Sequence, residues 1–350
     1  MHLRLGYESI ESLPEGSNEV RRYFDPHLQC ERVGKRIDLT MVDAATLPEA
    51  STLQSISHPN IVPIVTAADV GGFDPTMKVI EIVTPFYPRG SITDALLRGE
   101  RFPGHDAVTI VRSALLGLRE LHVSHGICHR DIKSGNVLLT DPPAHALIAD
   151  IGVAGKLGDS GTVPTVGNAT LYSPPEFHGG VLTTSSDLYS MGLILRELLG
   201  GAFPYDAYSR QDVYQALDQG RNPLSAKDRE LPIWAPKSVR AVYAKATHAQ
   251  PSRRYQTAKD MSTALSKVKI ADWKQVSDSV WEATYPQAKS KGVRVSAEVS
   301  PDGYSMSIKR GSGEKWRRIP NLPDETVPDL VSAAAQAVFS TANAFAVSSS

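Results

Sequence analysis

Hydrophobic residues recur at helical spacing in the middle of the chain. From residue 105 onward they fall three or four positions apart, which predicts a long buried helix; these residues are Ile110, Val111, Ala114, Leu115, Leu118 and Leu121. Another helix is predicted over 187–199, where apolar residues leave almost no polar face, as expected in the centre of a domain. Further helices are predicted at 211–217, 239–247 and 257–267.

The first 90 residues differ, because glycine and proline interrupt them often. The apolar run 79–83 predicts a strand. Residues 47–56 predict one helix, since Pro48 stands in the first turn and Leu53 and Ile56 follow at helical spacing. The order is therefore a small strand-rich lobe followed by a larger helix-rich lobe.

Residues 272–350 form a further region with its own pattern. Residues 293–299 and 304–308 alternate between apolar and polar side chains on either side of a Pro-Asp-Gly turn, which predicts a hairpin. A third strand is predicted at 316–319, and an apolar stripe over 327–345 predicts a final helix. We predict a small α/β module with the order helix, three strands, helix.

Composition narrows the class of protein without giving its function. The chain has 350 residues, 41% of them hydrophobic, with 37 Lys and Arg against 38 Asp and Glu. This balance gives no overall attraction to nucleic acid or anionic lipid. The only cysteines, Cys30 and Cys128, provide no disulfide framework and indicate a reducing, cytoplasmic location. No window approaches the roughly 18 uncharged apolar residues of a membrane span, so we expect no membrane partner.

The segment 129–139, His-Arg-Asp-Ile-Lys-Ser-Gly-Asn-Val-Leu-Leu, carries the most chemical information. Phosphoryl transfer needs a carboxylate for the proton of the attacking hydroxyl, a cation beside the phosphoryl group, and an amide oxygen for a metal. Asp131, Lys133 and Asn136 supply these groups in that order. The segment resembles the catalytic loop of protein kinases, and a lysine two residues after the aspartate resembles the serine/threonine subgroup. The resemblance implies that Asp131 and Lys133 are catalytic.

Fourteen residues after Asn136, the sequence Asp150-Ile151-Gly152 resembles the metal-binding Asp-Phe-Gly of kinases, with isoleucine in place of phenylalanine. Mg²⁺ prefers oxygen ligands such as carboxylates. The resemblance therefore implies that Asn136 and Asp150 bind Mg²⁺ and, through it, the nucleotide.

Three further residues resemble structural positions of the kinase family. Glu176, in Ser-Pro-Pro-Glu, resembles the end of the activation segment and implies an ion pair with Arg254. Asp187 resembles the residue that caps the backbone of the catalytic loop.

The N-terminal lobe carries the nucleotide-binding candidates. The His-Pro-Asn-Ile-Val segment at 58–62 resembles the segment after the regulatory helix, and its spacing implies that Glu49 is the glutamate that pairs with a strand lysine. Lys35 is the best such lysine, with the α- and β-phosphates of ATP as its implied ligands. Arg36 competes for this assignment, and a solvated basic strand end is the alternative.

The phosphate loop departs from the family pattern. Leu13, Glu15 and Asn18 stand where the family has its three glycines, and Gly16 is the only glycine in residues 13–20. Glu15 and Glu19 add negative charge. Glycine lets the backbone approach phosphates, and acidic side chains repel them. Weak binding of ATP is therefore one expectation for this chain.

Residues 84–91 resemble the hinge that holds adenine through its backbone. Thr84 is the implied gatekeeper, and Phe86 and Tyr87 are the implied N–H donors, since the prolines at 85 and 88 have none. A plain linker is the alternative.

Two other polar regions have open roles. The activation segment, 150–176, contains four hydroxyl residues that are candidate phosphorylation sites, because Arg130 precedes the catalytic aspartate; they are Ser160, Thr162, Thr165 and Thr170. The stretch 309–318 has five basic residues against one acidic. Such a stretch is able to contact nucleic acid or an acidic partner. We favour the alternative that it is a solvated hairpin end.

The resemblance as a whole implies an α+β, bilobal protein-kinase-like fold. We predict a kinase domain over 1–270, with a β-rich N-lobe at about 1–85 and a helical C-lobe at about 90–270, followed by the accessory module at 272–350. The implied activity is transfer of the γ-phosphoryl group of ATP, with Mg²⁺, to protein serine and threonine hydroxyls, and the module is a possible protein-binding site. The alternatives are a pseudokinase that acts as a binding scaffold and, less favoured, a small-molecule phosphotransferase.

Overall fold

The first lobe contains a five-stranded antiparallel sheet. The computed structural model describes residues 7–13, 19–38, 54–70, 79–141, 145–285 and 292–347. The strands are β1 (Glu8–Leu13), β2 (Val20–Asp25), β3 (Cys30–Asp38), β4 (Thr66–Asp69) and β5 (Val79–Pro85), in the order β1-β2-β3-β5-β4 across the sheet. The strand predicted at 79–83 is the start of β5. The helix predicted over 47–56 lies outside the described residues, except for its last three positions.

The second lobe is helical. Its helices are α1 (Ile92–Leu97), α2 (Gly104–Arg119), α3 (Thr184–Gly200), α4 (Arg210–Asp218), α5 (Lys237–Ala246) and α6 (Ala258–Ser266). The two long helices of the sequence pattern are α2 and α3, and the three shorter predicted helices coincide with α4, α5 and α6. Within the described part of the chain, no helix is both long and apolar enough to cross a membrane.

Helix α3 is the apolar axis of this lobe. Its residues are buried on nearly all sides, including Leu188, Met191 and Leu195, as the sequence predicts. The helix begins with a capping box, in which the Thr183 and Ser186 side chains accept hydrogen bonds from each other's backbone N–H groups. Such a cap satisfies N–H groups that the first turn leaves without partners. Asp187, in the same turn, is thereby held at a fixed place.

Short strands connect the parts that carry the candidate residues. They are β6 (Ile127–Cys128), β7 (Val137–Thr140), β8 (His145–Ile148), β9 (Gly155–Lys156), β10 (Val163–Pro164) and β11 (Val181–Leu182). β6 pairs with β9, β7 with β8, and β10 with β11. The loop predicted to be catalytic runs from β6 to β7, and Asp150 lies between β8 and β9. The pairing therefore brings the loop and Asp150 together.

The described part of the C-terminal module contains a six-stranded antiparallel sheet and one helix. Its elements are β12 (Asp272–Ser277), β13 (Val280–Thr284), β14 (Gly292–Ser300), β15 (Gly303–Ser312), β16 (Lys315–Arg318), β17 (Glu325–Val327) and α7 (Ala333–Val347). The order is β12-β13-β14-β15-β16, and β17 also pairs with β15. The predicted hairpin and third strand are β14, β15 and β16.

The helix predicted at the start of this module is wrong. Residues 272–284 form the hairpin of β12 and β13, in which Trp281 and Ala283 are buried while their neighbours are partly or fully exposed. This alternation is the period of a strand. The final helix is also shorter than predicted, because Val327 belongs to β17 and precedes Pro328, which disfavours a helical backbone at that position.

The module contacts the helical lobe directly. The Asn343 side chain in α7 donates to the carbonyl of Lys269 at 3.0 Å and accepts the N–H of Ala271 at 2.8 Å. Asp272 accepts the N–H of His105, at the start of α2, at 3.1 Å. Trp234 of the helical lobe packs against the apolar core of the module. The junction is thus fixed by hydrogen bonds between side chains and backbone groups as well as by apolar contact.

Candidate active site

Three polar residues of the loop between β6 and β7 converge on one carboxylate. Lys133 Nζ donates to Asp131 Oδ2 at 2.8 Å, and Asn136 Nδ2 donates to the same oxygen at 3.0 Å. Asn136 Nδ2 also donates to the backbone carbonyl of Asp131 at 2.8 Å. The second oxygen of Asp131, Oδ1, is able to accept a further hydrogen bond. The side chains of Asp131 and Lys133 are 21% and 32% exposed, so solutes can reach them.

Asp187 fixes the backbone of this loop, as the family resemblance implies. Its carboxylate accepts the N–H of His129 at 2.8 Å and that of Arg130 at 2.9 Å, and it lies 2.8 Å from His122 Nε2. Burial acts to raise the pKa of Asp187, but the hydrogen bonds from His122 and His129 hold the pKa below its ordinary value. The contact with His122 could not be predicted from the sequence, because the two partners lie 65 positions apart.

Asp150 lies beside the loop with a left-handed backbone, at φ 59°. A non-glycine residue adopts this conformation only where its surroundings hold it. Here Lys35 Nζ donates to Asp150 Oδ2 at 2.6 Å, and the carbonyl of Ala149 lies 2.9 Å from His129 Nε2. Burial acts to raise the pKa of Asp150, but the charge of Lys35 holds the pKa below its ordinary value. Asp150 is thus an ionised carboxylate next to the loop.

Lys35 and Arg36 lie on opposite faces of the sheet. Successive residues of a strand point to opposite faces of the sheet. Lys35, on β3, reaches Asp150, whereas Arg36 donates to Glu19 at 2.5 Å. Lys35 is therefore the basic residue that faces the loop. Glu49, its implied partner, lies outside the described residues.

Glu19, at the C-terminal end of the phosphate loop, repels a nucleotide less than the sequence predicts. Residues 14–18, which include Glu15 and Gly16, lie outside the described residues. Glu19 accepts hydrogen bonds from Arg21 at 2.6 Å and from Arg36 at 2.5 Å. Its negative charge is therefore offset by two arginines.

In the hinge, the structure contradicts the prediction for Phe86 and leaves the predictions for Tyr87 and Thr84 untested. The N–H of Phe86 donates to the carbonyl of Glu31 at 3.2 Å, so the expectation that Phe86 offers this N–H to a nucleotide is wrong. The cause is that the chain at the end of β5 still pairs with β3. The N–H of Tyr87 has no acceptor among the described residues. Thr84 lies in β5 opposite Val33, and its role as gatekeeper stays a prediction.

The activation segment is bound by Arg130. Its guanidinium donates to the carbonyls of Val153 at 2.6 Å, Ala154 at 2.8 Å and Pro164 at 3.0 Å. The unmodified segment is thus attached to the loop through backbone atoms. Phosphorylation of Ser160, Thr162, Thr165 or Thr170 stays a prediction.

The ion pair between Glu176 and Arg254 is present as expected. Arg254 Nη1 and Nη2 donate to the two oxygens of Glu176 at 2.6 and 2.7 Å. The Arg254 side chain is fully buried and also donates to the carbonyls of His248 and Ala249.

Comparison with known proteins agrees with this arrangement. The sequence pattern that defines the protein kinase domain matches residues 12–266. The chain belongs to the protein kinase family. Its relatives include the serine/threonine-protein kinase PrkC of Bacillus subtilis, 27% identical over 284 residues, which are 77% of this chain and 42% of PrkC. Another is the serine/threonine-protein kinase PknB of Mycobacterium leprae, 29% identical over 226 residues, or 63% of this chain and 35% of PknB. This kinase thus spans less than half the length of these relatives.

Proposed function

We propose that this kinase transfers the γ-phosphoryl group of ATP to serine and threonine hydroxyls of protein substrates. The observation that carries the proposal is the convergence of Asp131, Lys133 and Asn136, with Asp150 and Lys35 beside them. Because little covalent chemistry falls to the protein in phosphoryl transfer, positioning and charge supply nearly all of the catalysis. The cluster provides both.

Asp131 orients the substrate hydroxyl and receives its proton. Hydrogen bonds from Lys133 and Asn136 hold Oδ2, so the carboxylate has one orientation and presents Oδ1. A positioned base of this kind contributes about 10²- to 10⁴-fold to the rate. Lys133 stabilises the charge that builds on the phosphoryl oxygens.

Asn136 and Asp150 fit a magnesium ion. The Nδ2 of Asn136 is used on Asp131, which directs its oxygen elsewhere, and Asp150 offers an ionised carboxylate. Mg²⁺ is held in nucleotide sites by one or two such oxygen ligands together with phosphate oxygens. When bound, the ion neutralises negative charge on the β- and γ-phosphates.

The pseudokinase alternative is not favoured. The relatives carry the name of serine/threonine-protein kinases, and all four of the residues that handle proton, phosphoryl group and metal are kept in one cluster. The departure from the glycine pattern at 13–20 is the sequence feature that supports the pseudokinase alternative.

Three further points are proposals about this chain. The division at residue 270 is supported by the end of the family match at 266 and by the start of β12 at Asp272. A protein-binding role for residues 272–350 and a cytoplasmic location stay predictions.

Lys35 is expected to bind the α- and β-phosphates, so Lys35→Met raises the KM for ATP at least about tenfold and lowers kcat. Arg36→Met is the matched control, since Arg36 is the adjacent residue and bonds to Glu19 instead. Steady-state kinetics with varied ATP measures both variants. Equal changes in the two variants would contradict the assignment of Lys35.

The experiment that tests the proposed function is incubation with γ-labelled ATP, Mg²⁺ and a generic basic protein substrate, followed by phosphoamino acid analysis. Label on serine and threonine that Asp150→Ala loses supports the kinase. Binding of Mg-ATP in a thermal shift assay without any label supports the pseudokinase.

A further inference from the structure

Helix α7 packs on one face of the C-terminal sheet, and the opposite face carries a row of charged residues. The buried side chains of β13, β14 and β15 point to the helix, and the residues between them point away from it, because side chains alternate along a strand. Paired residues on this second face form the basic row across five strands: Lys274, Glu282, Arg294, Lys309 and Arg318. All five residues are partly or fully exposed.

Positive charge in the basic row is least compensated at Lys309. Arg294, Lys309 and Arg318 lie directly opposite one another on neighbouring strands, which are about 4.8 Å apart. Like charges in such positions repel each other. Arg294 Nε donates to Glu282 at 3.0 Å, and Arg318 donates to Asp324 at 2.6 Å. Lys309, between the two arginines, forms no ion pair with an acidic side chain in the described part of the chain.

The charge of the basic row complements a phosphate group. Its four basic side chains stand against the two carboxylates of Glu282 and Asp324, which leaves a net charge of +2. Glu298, on the same face, lies four positions from Arg294 along β14, or about 13 Å, where salt screens its charge. A phosphoserine or phosphothreonine carries about −1.5 to −2 charges at pH 7 and three acceptor oxygens. Arginine binds such oxygens through two N–H groups at once.

Trp316 favours an ionic ligand over a nucleic acid strand. It lies on the same face, opposite Gly311 in the next row, and its indole N–H donates to the carbonyl of Gly313 at 2.7 Å. The guanidinium of Arg294 lies over the ring, 4.3 Å from its centre. Single-stranded nucleic acid binds by stacking its bases on open aromatic faces. Because Arg294 already stacks on this ring, Trp316 positions a cation of the basic row.

We propose that the basic row is a docking site for a segment of a protein that carries phosphoserine or phosphothreonine. The supply of this ligand rests on the proposed kinase function, whereas its binding needs no catalysis. The proposal differs from the solvated hairpin end that the sequence favours, because only strand pairing places Lys274 and Arg294 in one row with Lys309 and Arg318. It gives the C-terminal module a partner of defined chemistry.

The test measures binding of fluorescein-labelled peptides to the full chain by fluorescence anisotropy. The probe is Gly-Ala-Ser-Ala-Gly with its serine phosphorylated, and the matched peptides have unmodified serine or glutamate at the centre. We expect the Kd of the phosphopeptide to be at least about tenfold lower than that of either matched peptide, since hydrogen bonds to a charged group are worth this much. Labelled poly-uridylate is the probe for nucleic acid.

Lys309→Gln is expected to raise the Kd of the phosphopeptide at least about tenfold. Arg317→Gln is the matched control, because Arg317 is exposed beside Arg318 in β16 and points to the other face, and its Kd is expected within about twofold of wild type. Arg318→Gln, at a side chain that is 69% exposed, is a second variant and is expected to raise the Kd about threefold or more. Urea denaturation checks folding, and removal of Lys309 is expected not to lower the free energy of unfolding, since it relieves repulsion.

Equal Kd values for the phosphopeptide and either matched peptide overturn the docking site. Tighter binding of poly-uridylate at the same concentration of phosphate groups, or equal effects of Lys309→Gln and Arg317→Gln, also overturns it. A chain that binds the phosphopeptide as expected but transfers no phosphate from ATP overturns the kinase function alone. A chain that transfers phosphate without binding the phosphopeptide overturns the docking site alone.

Discussion

Replacing Asp131 by asparagine is expected to lower kcat about 10³-fold, because the amide has no basic oxygen to receive the proton of the substrate hydroxyl. Asparagine keeps the shape of aspartate and an oxygen that accepts from Lys133, so the fold and the nucleotide contacts persist. The KM for ATP is therefore expected within about twofold of the wild-type value. Steady-state kinetics at saturating protein substrate measures the effect.

Asp141→Asn provides the matched control for this change. Asp141 is an exposed aspartate at the end of β7, outside the cluster, and its replacement is expected to leave kcat unchanged. A kcat of Asp131→Asn within tenfold of wild type would contradict the role of Asp131 as base.

Replacing Arg254 by alanine is expected to lower the free energy of unfolding by about 3–5 kcal/mol. The variant leaves the Glu176 carboxylate without its charged partner and the carbonyls of His248 and Ala249 without their side-chain donor. The guanidinium is fully buried, makes two hydrogen bonds to Glu176 and lies over the ring of Tyr189 at 4.6 Å. Urea denaturation followed by fluorescence measures the change.

Arg253→Ala is the control for Arg254→Ala, because Arg253 is the exposed neighbour on the same turn. The free energy of unfolding of Arg253→Ala is expected to stay within about 0.5 kcal/mol of the wild-type value. An equal decrease in the free energy of unfolding in the two variants would contradict the stabilising role of the ion pair between Glu176 and Arg254.

The catalytic loop could be predicted because its chemistry is local. Asp131, Lys133 and Asn136 stand within six residues, and a single loop brings them together. Helix α3 could also be predicted as a buried helix, because its sequence leaves almost no polar face. The pairs of Glu176 with Arg254 and of Asp187 with the loop backbone followed only from the resemblance to kinases.

Other contacts could not be predicted because they depend on which distant segments meet. The sequence favours Lys35 but leaves Arg36 as a competitor, and only the pairing of β3 shows which one faces Asp150. The N–H of Phe86 is used by Glu31, a partner set by the sheet. The hairpin at 272–284 was missed although Trp281 and Ala283 carry its alternation, because two residues are too short a pattern to exclude a helix.

Asp131 and its neighbours are proposed to catalyse phosphoryl transfer from ATP to protein hydroxyls. The most direct test measures the rate at which the purified chain transfers labelled phosphate from ATP to a protein substrate in the presence of Mg²⁺. The Asp131→Asn variant, measured in parallel, is the blank. We predict label on serine and threonine that falls about 10³-fold in the blank. Equal label in both proteins, or none in the wild type, would contradict the claim.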